Sequence, residues 1–505
     1  MRSLLIVALA VTAGTSCQSG GSEGKAGGGE SAPTTGHAAQ QATTPPHALP
    51  PAAPLPPLVK DPGGATGNPA WGITMGGLGI DAPRGVAVAK DGSIVVVGYY
   101  DGDGGFGDLG KRPSHGGTDA FVAMLDPKGK IKWLQTFGGP RDDVANGVAI
   151  SGNTIVVVGS FIDDLTVGSF HHAAAGADDA YAVAFDMTGE PLWMFTTGGI
   201  DTDGANTVAA TADGGWIIGG SFKGTAVFGQ TEFTAKGRTH KEDAFLLKLD
   251  KDVKVEWVKQ FGGNYDDSIA HVAIDPQGNI IVQGQFADVS EWGGAPLKAG
   301  GGSDNDVVLA KYNANGEHLW SKRFGDAFND VAGGVGVDPS GHITMTGSFD
   351  QTVSFGDGDR HTSKGESDIF VARFTPDGAL EWAKTFGADR EDIGWGIAVD
   401  DHGNSVTTGW FQSTVDFGAF KLTSKGNRDV FALKLDAAGE VVWARSWGDH
   451  DHDRGRAIAL APDGAAICAG TYGFTIDIVS PALESQRAPS DKIPKPDLYV
   501  IRLDR

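Results

Sequence analysis

The sequence has only two cysteines, Cys17 and Cys468, among 505 residues. A disulfide framework is therefore excluded, and Cys468, which lies in an apolar run, is expected to be a small buried hydrophobic residue. No run of basic residues occurs, and 63 Asp and Glu outnumber 40 Lys and Arg. Nucleic acid and anionic membrane surfaces are bound by clustered Lys and Arg. The sequence therefore predicts no nucleic-acid partner and no membrane contact through the folded part.

Helical periodicity and the common catalytic motifs are also missing. No segment shows the 3.6-residue hydrophobic repeat of an amphipathic helix, and no Gly-x-Ser-x-Gly elbow, phosphate loop or His-Glu-x-x-His motif is present. Glycine is abundant instead, with 77 residues and no triplet period, which indicates many tight turns. We therefore expect an all-β protein that is not an enzyme and has no cofactor.

The first residues predict export and lipid attachment. Arg2 is followed by an apolar stretch from Leu4 to Ala13, which is too short to span a bilayer. Small residues then precede Cys17, as in a bacterial lipobox, so residues 1–16 are predicted to be a signal peptide and Cys17 the lipidated residue. Gln18 is typical of outer-membrane sorting in such lipoproteins. We expect an outer-membrane lipoprotein, at the cell surface or the periplasmic face; cleavage nearby without lipidation, giving a secreted protein, is the alternative.

A low-complexity segment follows the signal. Residues 17–68 consist largely of Gly, Ser, Ala, Thr, Gln and Pro and show no apolar periodicity. Such a composition cannot bury a core. It predicts a disordered tether that holds the folded part away from the membrane.

Seven tryptophans divide the rest of the chain into repeats of 60 to 64 residues. Each tryptophan has Gly five residues later and Asp ten residues later. The tryptophans are Trp71, Trp133, Trp193, Trp257, Trp320, Trp382 and Trp443. The aspartates, here called the repeat aspartates, are Asp81, Asp143, Asp203, Asp267, Asp330, Asp392 and Asp453. A residue present in every repeat serves the structure of the repeat, so function must be sought where the repeats differ.

The repeats predict a seven-bladed β-propeller over residues 69–505. Each repeat contains four short β-rich segments separated by turns of Asp, Gly and Pro, which indicates four-stranded antiparallel blades. The last repeat begins a strand at Asp497, and Arg505 follows only eight residues later. Its fourth strand is therefore predicted to be the first strand of the chain, around Trp71, which would close the ring and leave no open sheet edge.

The repeat resembles two known groups of propellers. Segments such as Asp400 to Asn404, Thr408 to Phe411 and Asp429 to Lys434 are similar to the bacterial seven-bladed SBBP-type repeats of secreted and surface proteins. That resemblance implies a fold but no single reaction. The segment from Asp436 to Trp443 resembles quinoprotein blades, a group that includes pyrroloquinoline-dependent dehydrogenases and an outer-membrane assembly scaffold. Those proteins usually have eight blades, and no repeat here carries the ligand set of the dehydrogenases.

Three clusters are candidate sites, each with a competing interpretation. The repeat aspartates form either an acidic ring or a set of turn caps that accept backbone hydrogen bonds. In the run from Asp101 to Asp108, alternating Asp and Gly suggests Ca²⁺ ligands at Asp101 and Asp103, but the run lacks the closing Glu of an EF-hand and is otherwise a solvated loop. His450 and His452 are spaced to share a metal, although no third group completes the site.

Function is expected where segment length and composition vary. The segments between second and third strands vary most, and they share one face of the disc with the loops that follow each tryptophan strand. On this face Asp101, Asp103, Asp108 and Trp292 are the candidate contacts, and the repeat aspartates should make it acidic, which favours a cationic or polar partner. We expect a monomeric, non-enzymatic scaffold that binds a protein or glycan ligand. The alternatives are a quinoprotein-like or polysaccharide-active enzyme and an outer-membrane assembly scaffold.

Overall fold

The computed structural model describes residues 64–237, 240–356, 358, 360–486 and 495–505. Within these ranges the chain is almost entirely β-strand, with a single 3-10 turn at Gly107–Leu109. No helix in the described part is long and apolar enough to cross a membrane. The predicted signal peptide, Cys17 and nearly all of the predicted tether lie outside the described residues.

Seven four-stranded antiparallel sheets form the blades, listed here from the inner to the outer strand. Blade 1 contains β2 (Ala82–Val88), β3 (Ile94–Gly105), β4 (Lys111–Leu125) and β5 (Ile131–Phe137). Blade 2 contains β6 (Val144–Ser151), β7 (Thr154–Val167), β8 (Phe170–Asp186) and β9 (Pro191–Gly199). Blade 3 contains β10 (Asp203–Ala210), β11 (Trp216–Lys223), β14 (Glu242–Leu249) and β15 (Val255–Gly263). Blade 4 contains β16 (Ser268–Ile274), β17 (Ile280–Ala287), β20 (Asn305–Tyr312) and β21 (His318–Phe324).

The remaining three blades follow the same order. Blade 5 contains β22 (Val331–Val337), β23 (Ile343–Val353), β24 (His361–Phe374) and β25 (Leu380–Phe386). Blade 6 contains β26 (Ile393–Val399), β27 (Ser405–Phe411), β30 (Asp429–Leu435) and β31 (Val441–Trp447). Blade 7 contains β32 (Arg454–Leu460), β33 (Ala466–Tyr472), β36 (Asp497–Leu503) and β1 (Pro69–Met75). The predicted seven-bladed β-propeller is confirmed.

The segments between second and third strands form hairpins. In blades 1, 2 and 5 the two strands themselves extend to make the hairpin. The other blades carry separate short pairs: β12 (Thr225–Phe228) with β13 (Thr231–Thr234), β18 (Val289–Glu291) with β19 (Leu297–Lys298), β28 (Thr414–Phe417) with β29 (Phe420–Thr423), and β34 (Thr475–Ile476) with β35 (Leu483–Glu484). Two of these hairpins also pair with the outer strand of the preceding blade, β12 with β9 and β18 with β15.

The ring closes as predicted, with the first strand completing the last blade. β1 pairs antiparallel with β36, and Trp71 lies opposite Arg502 while Met75 lies opposite Leu498. The edge of β36 is thereby paired, which removes a template for edge-to-edge association.

The hydrophobic core lies between adjacent blades. Val122 of blade 1 and Val157 of blade 2, for example, belong to one buried cluster. Cys468 is completely buried in the cluster shared by blades 6 and 7, as its apolar surroundings predict. Stability thus depends on contacts between neighbouring repeats, which no single blade can supply.

The repeat tryptophans connect consecutive blades. The indole Nε1 of Trp71 donates to the carbonyl of Pro127 at 3.1 Å, and that of Trp133 donates to the carbonyl of Met187 at 3.0 Å. In both cases the acceptor lies in the turn before the outer strand of the next blade. Equivalent bonds join Trp257 to Ala314, Trp320 to Pro376 and Trp382 to Ala437. Five of the seven repeat tryptophans thus connect their blade to the next one through the indole N–H.

Candidate functional site

The repeat aspartates are structural, and they do not form an exposed acidic ring. All seven are at most 1% exposed. Each accepts a backbone N–H four residues earlier, as in Gly77 to Asp81 at 2.7 Å and Gly199 to Asp203 at 2.6 Å. The same bond recurs at Asp143, Asp267, Asp330, Asp392 and Asp453. The expectation that they make the long-segment face acidic is therefore wrong, because buried carboxylates present no surface.

Each repeat aspartate lies near a second buried aspartate in the third strand of the preceding blade. Asp81 is paired in this way with Asp497, and Asp143 with Asp119. Burial, opposed by backbone hydrogen bonds, raises the pKa of Asp81 and Asp143 to about 7. Burial, with the charge of Asp81, raises the pKa of Asp497 to about 8. These aspartate pairs serve the structure of the repeats and are not a ligand site.

The run from Asp101 to Asp108 forms the end of a hairpin, in which Asp103 and Asp108 are exposed and Phe106 is buried. Asp101 and Asp103 lie within β3, and Asp108 lies in the 3-10 turn at Gly107–Leu109. Phe106, in the middle of the run, is buried against Tyr100 with ring centroids 5.5 Å apart. Asp101 Oδ2 lies 3.6 Å from the ammonium of Lys495.

Trp292 takes a structural position, whereas His450 and His452 are exposed. Trp292 is completely buried and stacks on Phe261 with centroids 5.3 Å apart, where it cannot contact a ligand on the surface. The His450 ring stacks on Phe474 at 4.4 Å. The part of the chain that the structure describes contains no group of three or more Asp, Glu, His or Cys that could hold a metal ion.

The central channel is where the blades differ. Every inner strand has a β-bulge at the third residue after the repeat aspartate. A bulge redirects the extra side chain away from the regular pleat. In blade order, the seven bulge residues are Arg84, Asn146, Asn206, Ala270, Gly333, Trp395 and Arg456. A cavity of about 140 Å³ lies between the inner strands, and Arg84, Asn146, Asn206 and Arg456 are among its lining residues.

Blades 2 to 4 use neutral groups around the channel. The side-chain amide of Asn146 donates to the carbonyl of Ala205 at 3.1 Å, and that of Asn206 donates to the carbonyl of Ile269 at 3.0 Å. Both amides therefore tie one inner strand to the next. Burial lowers the pKa of His271 in blade 4 to about 4, so its imidazole is neutral at pH 7. This side of the channel has satisfied polar groups and no net charge.

Blades 6, 7 and 1, which are neighbours in the ring, carry a cluster of arginines and aromatic rings. Arg456 lies 5.2 Å from the ring centre of Trp395 and 5.6 Å from that of Trp410. Arg454 lies 5.7 Å from the same Trp410 ring, and Arg84 lies 5.4 Å from the ring of Tyr99.

Arg428 completes this cluster, 5.9 Å from the centre of the Trp410 ring. We call the group the arginine mouth, defined as Arg84, Arg428, Arg454 and Arg456 with Tyr99, Trp395 and Trp410. Four of the side chains lie within the first three residues of inner strands, and Arg428 lies directly before β30. On the second strands, Tyr99 pairs with Ala82, the first residue of β2, and Trp410 lies next to the last residue of β27. Antiparallel order brings all of these ends to the face that carries the long hairpins.

Among the residues that the structure describes, only one of the four guanidinium groups of the arginine mouth forms an ion pair with a carboxylate. Arg428 forms an ion pair with Glu391, which also accepts a hydrogen bond from Trp410 Nε1 at 3.4 Å. Within the described residues, Arg84, Arg454 and Arg456 form no ion pair. The Nε atoms of Arg428 and Arg454 are buried and have no hydrogen-bond partner among the same residues.

The electrostatics of the arginine mouth confirm that these groups are crowded. Burial, with the nearby charges of Arg84 and Arg454, lowers the pKa of Arg456 to about 9. Burial, with the charge of Arg428, also lowers the pKa of Arg454. Like charges in a partly desolvated site repel one another. A concentration of unpaired positive charge in a protein of net charge −23 marks this mouth as the candidate functional site.

Comparisons with known proteins support the fold and leave the function open. No protein-family model matches the chain. It is 27% identical over 391 residues to the regulatory protein FlaEY of Caulobacter vibrioides, covering 72% of this chain and 39% of that protein. It is 20% identical over 525 residues to the uncharacterized WD repeat-containing protein L264 of Acanthamoeba polyphaga mimivirus, covering 82% and 37%. The chain thus spans about two fifths of the length of these curated relatives.

Solved structures that resemble the chain come from proteins of differing roles. The Neurospora crassa Pan2 WD40 domain aligns with a TM-score of 0.41 and 8% identity, covering 83% of this chain and 88% of that domain. A PL25 ulvan lyase, a polysaccharide lyase, aligns with a TM-score of 0.44 and 12% identity, covering 79% and 92%. At these identities the likeness does not extend to function.

Proposed function

We propose that the propeller is a binding module and that its ligand site is the arginine mouth. One observation carries this proposal. The bulged position of the inner strand lines the central cavity in blades 1, 2, 3 and 7, and its residue changes around the ring while the surrounding Trp, Gly and Asp pattern stays constant. Three consecutive blades place Trp395, Arg456 and Arg84 at the bulged position. Side chains that vary on a rigid, repeated frame are where a propeller gains specificity.

The site is suited to the end or side group of a ligand. The adjoining cavity of about 140 Å³, which Arg84 and Arg456 line, is smaller than the roughly 300–1,000 Å³ of sites that enclose a drug-sized molecule. The ligand would therefore be held at the mouth and extend over the long-hairpin face. We propose binding and no catalysis, with a protein or glycan as the ligand. An acidic face, as expected from the sequence, would favour a cationic partner. The positive charge of the arginine mouth favours an acidic partner instead.

We also propose that the protein is an outer-membrane lipoprotein anchored through Cys17 and serves as a cell-envelope interaction scaffold. The order of charged, apolar and small residues before Cys17 supports this. Intact mass of the protein extracted from membranes tests it, with a diacylated N-terminus at Cys17 as the expected result. An unmodified protein, or one that starts well past Cys17, would contradict lipidation. Protease treatment of intact cells then distinguishes the cell surface from the periplasmic face.

The binding proposal is tested with immobilised purified glycans and peptides from bacterial envelopes. The double variant Arg84→Gln, Arg456→Gln should lose the ligands that the wild-type protein retains. Lys90→Gln is the matched control, because Lys90 is an exposed cation in the short turn between β2 and β3 on the opposite face. Retention of every ligand by the double variant, or selective loss in the Lys90 variant, would show that binding occurs elsewhere.

A further inference from the structure

We infer that the arginine mouth binds an oxyanion group, which is a carboxylate, sulfate or phosphate, through Arg84, Arg454 and Arg456. This inference rests on the proposed function and adds the chemistry of the group that is recognised. It follows from the arrangement of the three guanidinium groups, from the aromatic rings that contact them and from the size of the cavity that Arg84 and Arg456 line.

The arginine mouth has fewer ion-paired carboxylates than guanidinium groups among the described residues. Buried Lys311 is paired with Asp275 at 2.8 Å, whereas the exposed Arg84 and the half-buried Arg454 and Arg456 form no ion pair within the same residues. In the arginine mouth the one carboxylate in an ion pair is Glu391, which contacts Arg428. Clustered charges without a counter-ion disfavour the unliganded folded state. A bound anion would relieve the repulsion among the remaining three arginines.

The aromatic rings hold the guanidinium groups in place without using acceptor atoms. Arg456 contacts the faces of Trp395 and Trp410, whose ring centres are 5.5 Å apart, and Arg84 contacts the face of Tyr99. A guanidinium that is fixed by ring faces keeps its N–H donors for a planar or tetrahedral oxyanion. The buried Nε of Arg454, which has no hydrogen-bond partner within the described residues, is one such donor. Fixed donors bind oxyanions more strongly because less side-chain entropy is lost.

The channel limits what enters. Arg84 and Arg456 line a cavity of about 140 Å³, a volume that suits one oxyanion group better than a polymer chain. Two sources present such a group: a free inorganic anion, and an acidic sugar at the end or on the side of an oligosaccharide. The chemistry at the arginines is the same for both, so the experiment must separate them.

Isothermal titration calorimetry at low ionic strength provides the test, with three probes. The probes are sodium sulfate, a tetramer of galacturonic acid, and the same tetramer with every carboxylate methyl-esterified. We expect binding of sulfate or of the acidic tetramer, and no binding of the esterified tetramer. Binding should weaken by at least tenfold in Arg456→Gln and in Arg84→Gln. It should be unchanged in Lys90→Gln. Because screening weakens charge interactions, binding should also fall with added sodium chloride.

Each outcome has a distinct meaning. Binding of sulfate alone identifies a free anion, and tighter binding of the acidic tetramer identifies an acidic glycan; both support the inference. Equal binding of the acidic and esterified tetramers, lost in the arginine variants, would overturn the oxyanion inference and leave the proposed binding site intact. Absence of binding by sulfate and by the acidic tetramer would overturn the inference. An unchanged melting temperature of the unliganded variants excludes misfolding as the cause of lost binding.

Discussion

Asp81 and Asp497 face each other across Gly76, where the first blade meets the last. A Cβ atom added to Gly76 would lie 2.7 Å from Asp497 Oδ1 and 2.9 Å from Asp81 Oδ2. The same arrangement places Gly138 between Asp119 and Asp143. The Gly and Asp that follow every repeat tryptophan are therefore two parts of one buried junction. Two carboxylates in a desolvated site favour the protonated form of at least one of them.

These junctions predict that the protein is more stable at mildly acidic than at alkaline pH. The pKa of Asp81 rises from 3.8 to about 7 and that of Asp497 from 3.8 to about 8, in both cases mainly through burial. Because these carboxyl groups bind a proton more tightly in the folded state, protonation stabilises the fold, and this stabilisation is complete below the unfolded-state pKa of 3.8. It is lost as the pH rises through the folded-state pKa values of about 7 and 8. We expect the melting temperature to fall on the order of 10 °C between pH 5.5 and pH 8.5, measured by differential scanning calorimetry.

The range from pH 5.5 to pH 8.5 lies above the pH at which exposed carboxylates become protonated, which would destabilise the fold. Exposed carboxylates such as Asp213, whose pKa is lowered to about 2 chiefly by a hydrogen bond from Lys248, favour the fold only while ionised, and this contribution is lost at lower pH. The variant Asp81→Asn, Asp497→Asn removes one titrating pair and should reduce the slope of melting temperature against pH. A melting temperature that is flat or rises over this window would contradict the raised pKa values.

The junction glycines predict a local steric cost. In Gly138→Ala the new Cβ would lie 2.7 Å from both Asp119 Oδ1 and Asp143 Oδ2. Overpacking of this kind costs roughly 1–3 kcal/mol, measured as a shift in the urea midpoint. Gly204→Ala is the matched control, because its nearest atom would be the Ser160 Cβ at 3.9 Å. Equal effects of the two substitutions would show that the carboxylates do not crowd Gly138.

The blade structure could be predicted from the sequence because the same contacts between neighbouring blades require the same residues in every repeat. The tryptophan interblade bond, found at five of the seven repeat tryptophans, and the buried aspartate junction are both built between neighbouring repeats, so their sequence signals recur in every repeat. Ring closure was predictable because the last repeat lacks a strand that the first segment supplies. The aspartates were correctly placed at one face, but their burial was not foreseen, since spacing alone does not show that a second aspartate covers them.

The arginine mouth could not be predicted in the same way. Arg84 and Arg456 belong to the first and last repeats, and they meet only when the ring is closed. Their shared position, three residues after the repeat aspartate, could have been tabulated from the sequence. That this position points to the channel depends on the β-bulge, which shifts the strict alternation of a strand. Trp292 stood out by composition, yet its side chain packs into the core.

The interblade bond predicts different effects of the same chemical change at two tryptophans. Benzothienylalanine has nearly the shape of tryptophan but lacks the N–H donor. At position 382 it should cost about 1 kcal/mol, because Trp382 Nε1 donates to the carbonyl of Ala437 at 3.0 Å. At position 443 it should be neutral or stabilising, because Trp443 Nε1 is buried with no acceptor among the described residues. Chemical denaturation measures both, and equal costs at the two positions would contradict the assigned bond.

Ring closure predicts that the first strand can be removed and then restored in trans. Besides the β1–β36 ladder, the junction contains hydrogen bonds from Thr66 N to the Arg505 carbonyl at 2.7 Å and from Tyr472 Oη to Thr74 Oγ1 at 2.7 Å. A chain that begins at residue 78 loses these contacts and exposes the edge of β36. We expect a loss of several kcal/mol and self-association, measured by calorimetry and size-exclusion chromatography.

A chain that begins at residue 61 is the control for this truncation, and it should melt like the full-length protein because it keeps β1. A synthetic peptide of residues 64–77 should pair with the exposed β36 by strand addition and return the shorter chain to a monomer with a higher melting temperature. A peptide of the same composition in scrambled order should not, because the apolar side chains would no longer match the faces of the blade. If the chain from residue 78 stays monomeric with an unchanged melting temperature, the first strand does not close the ring.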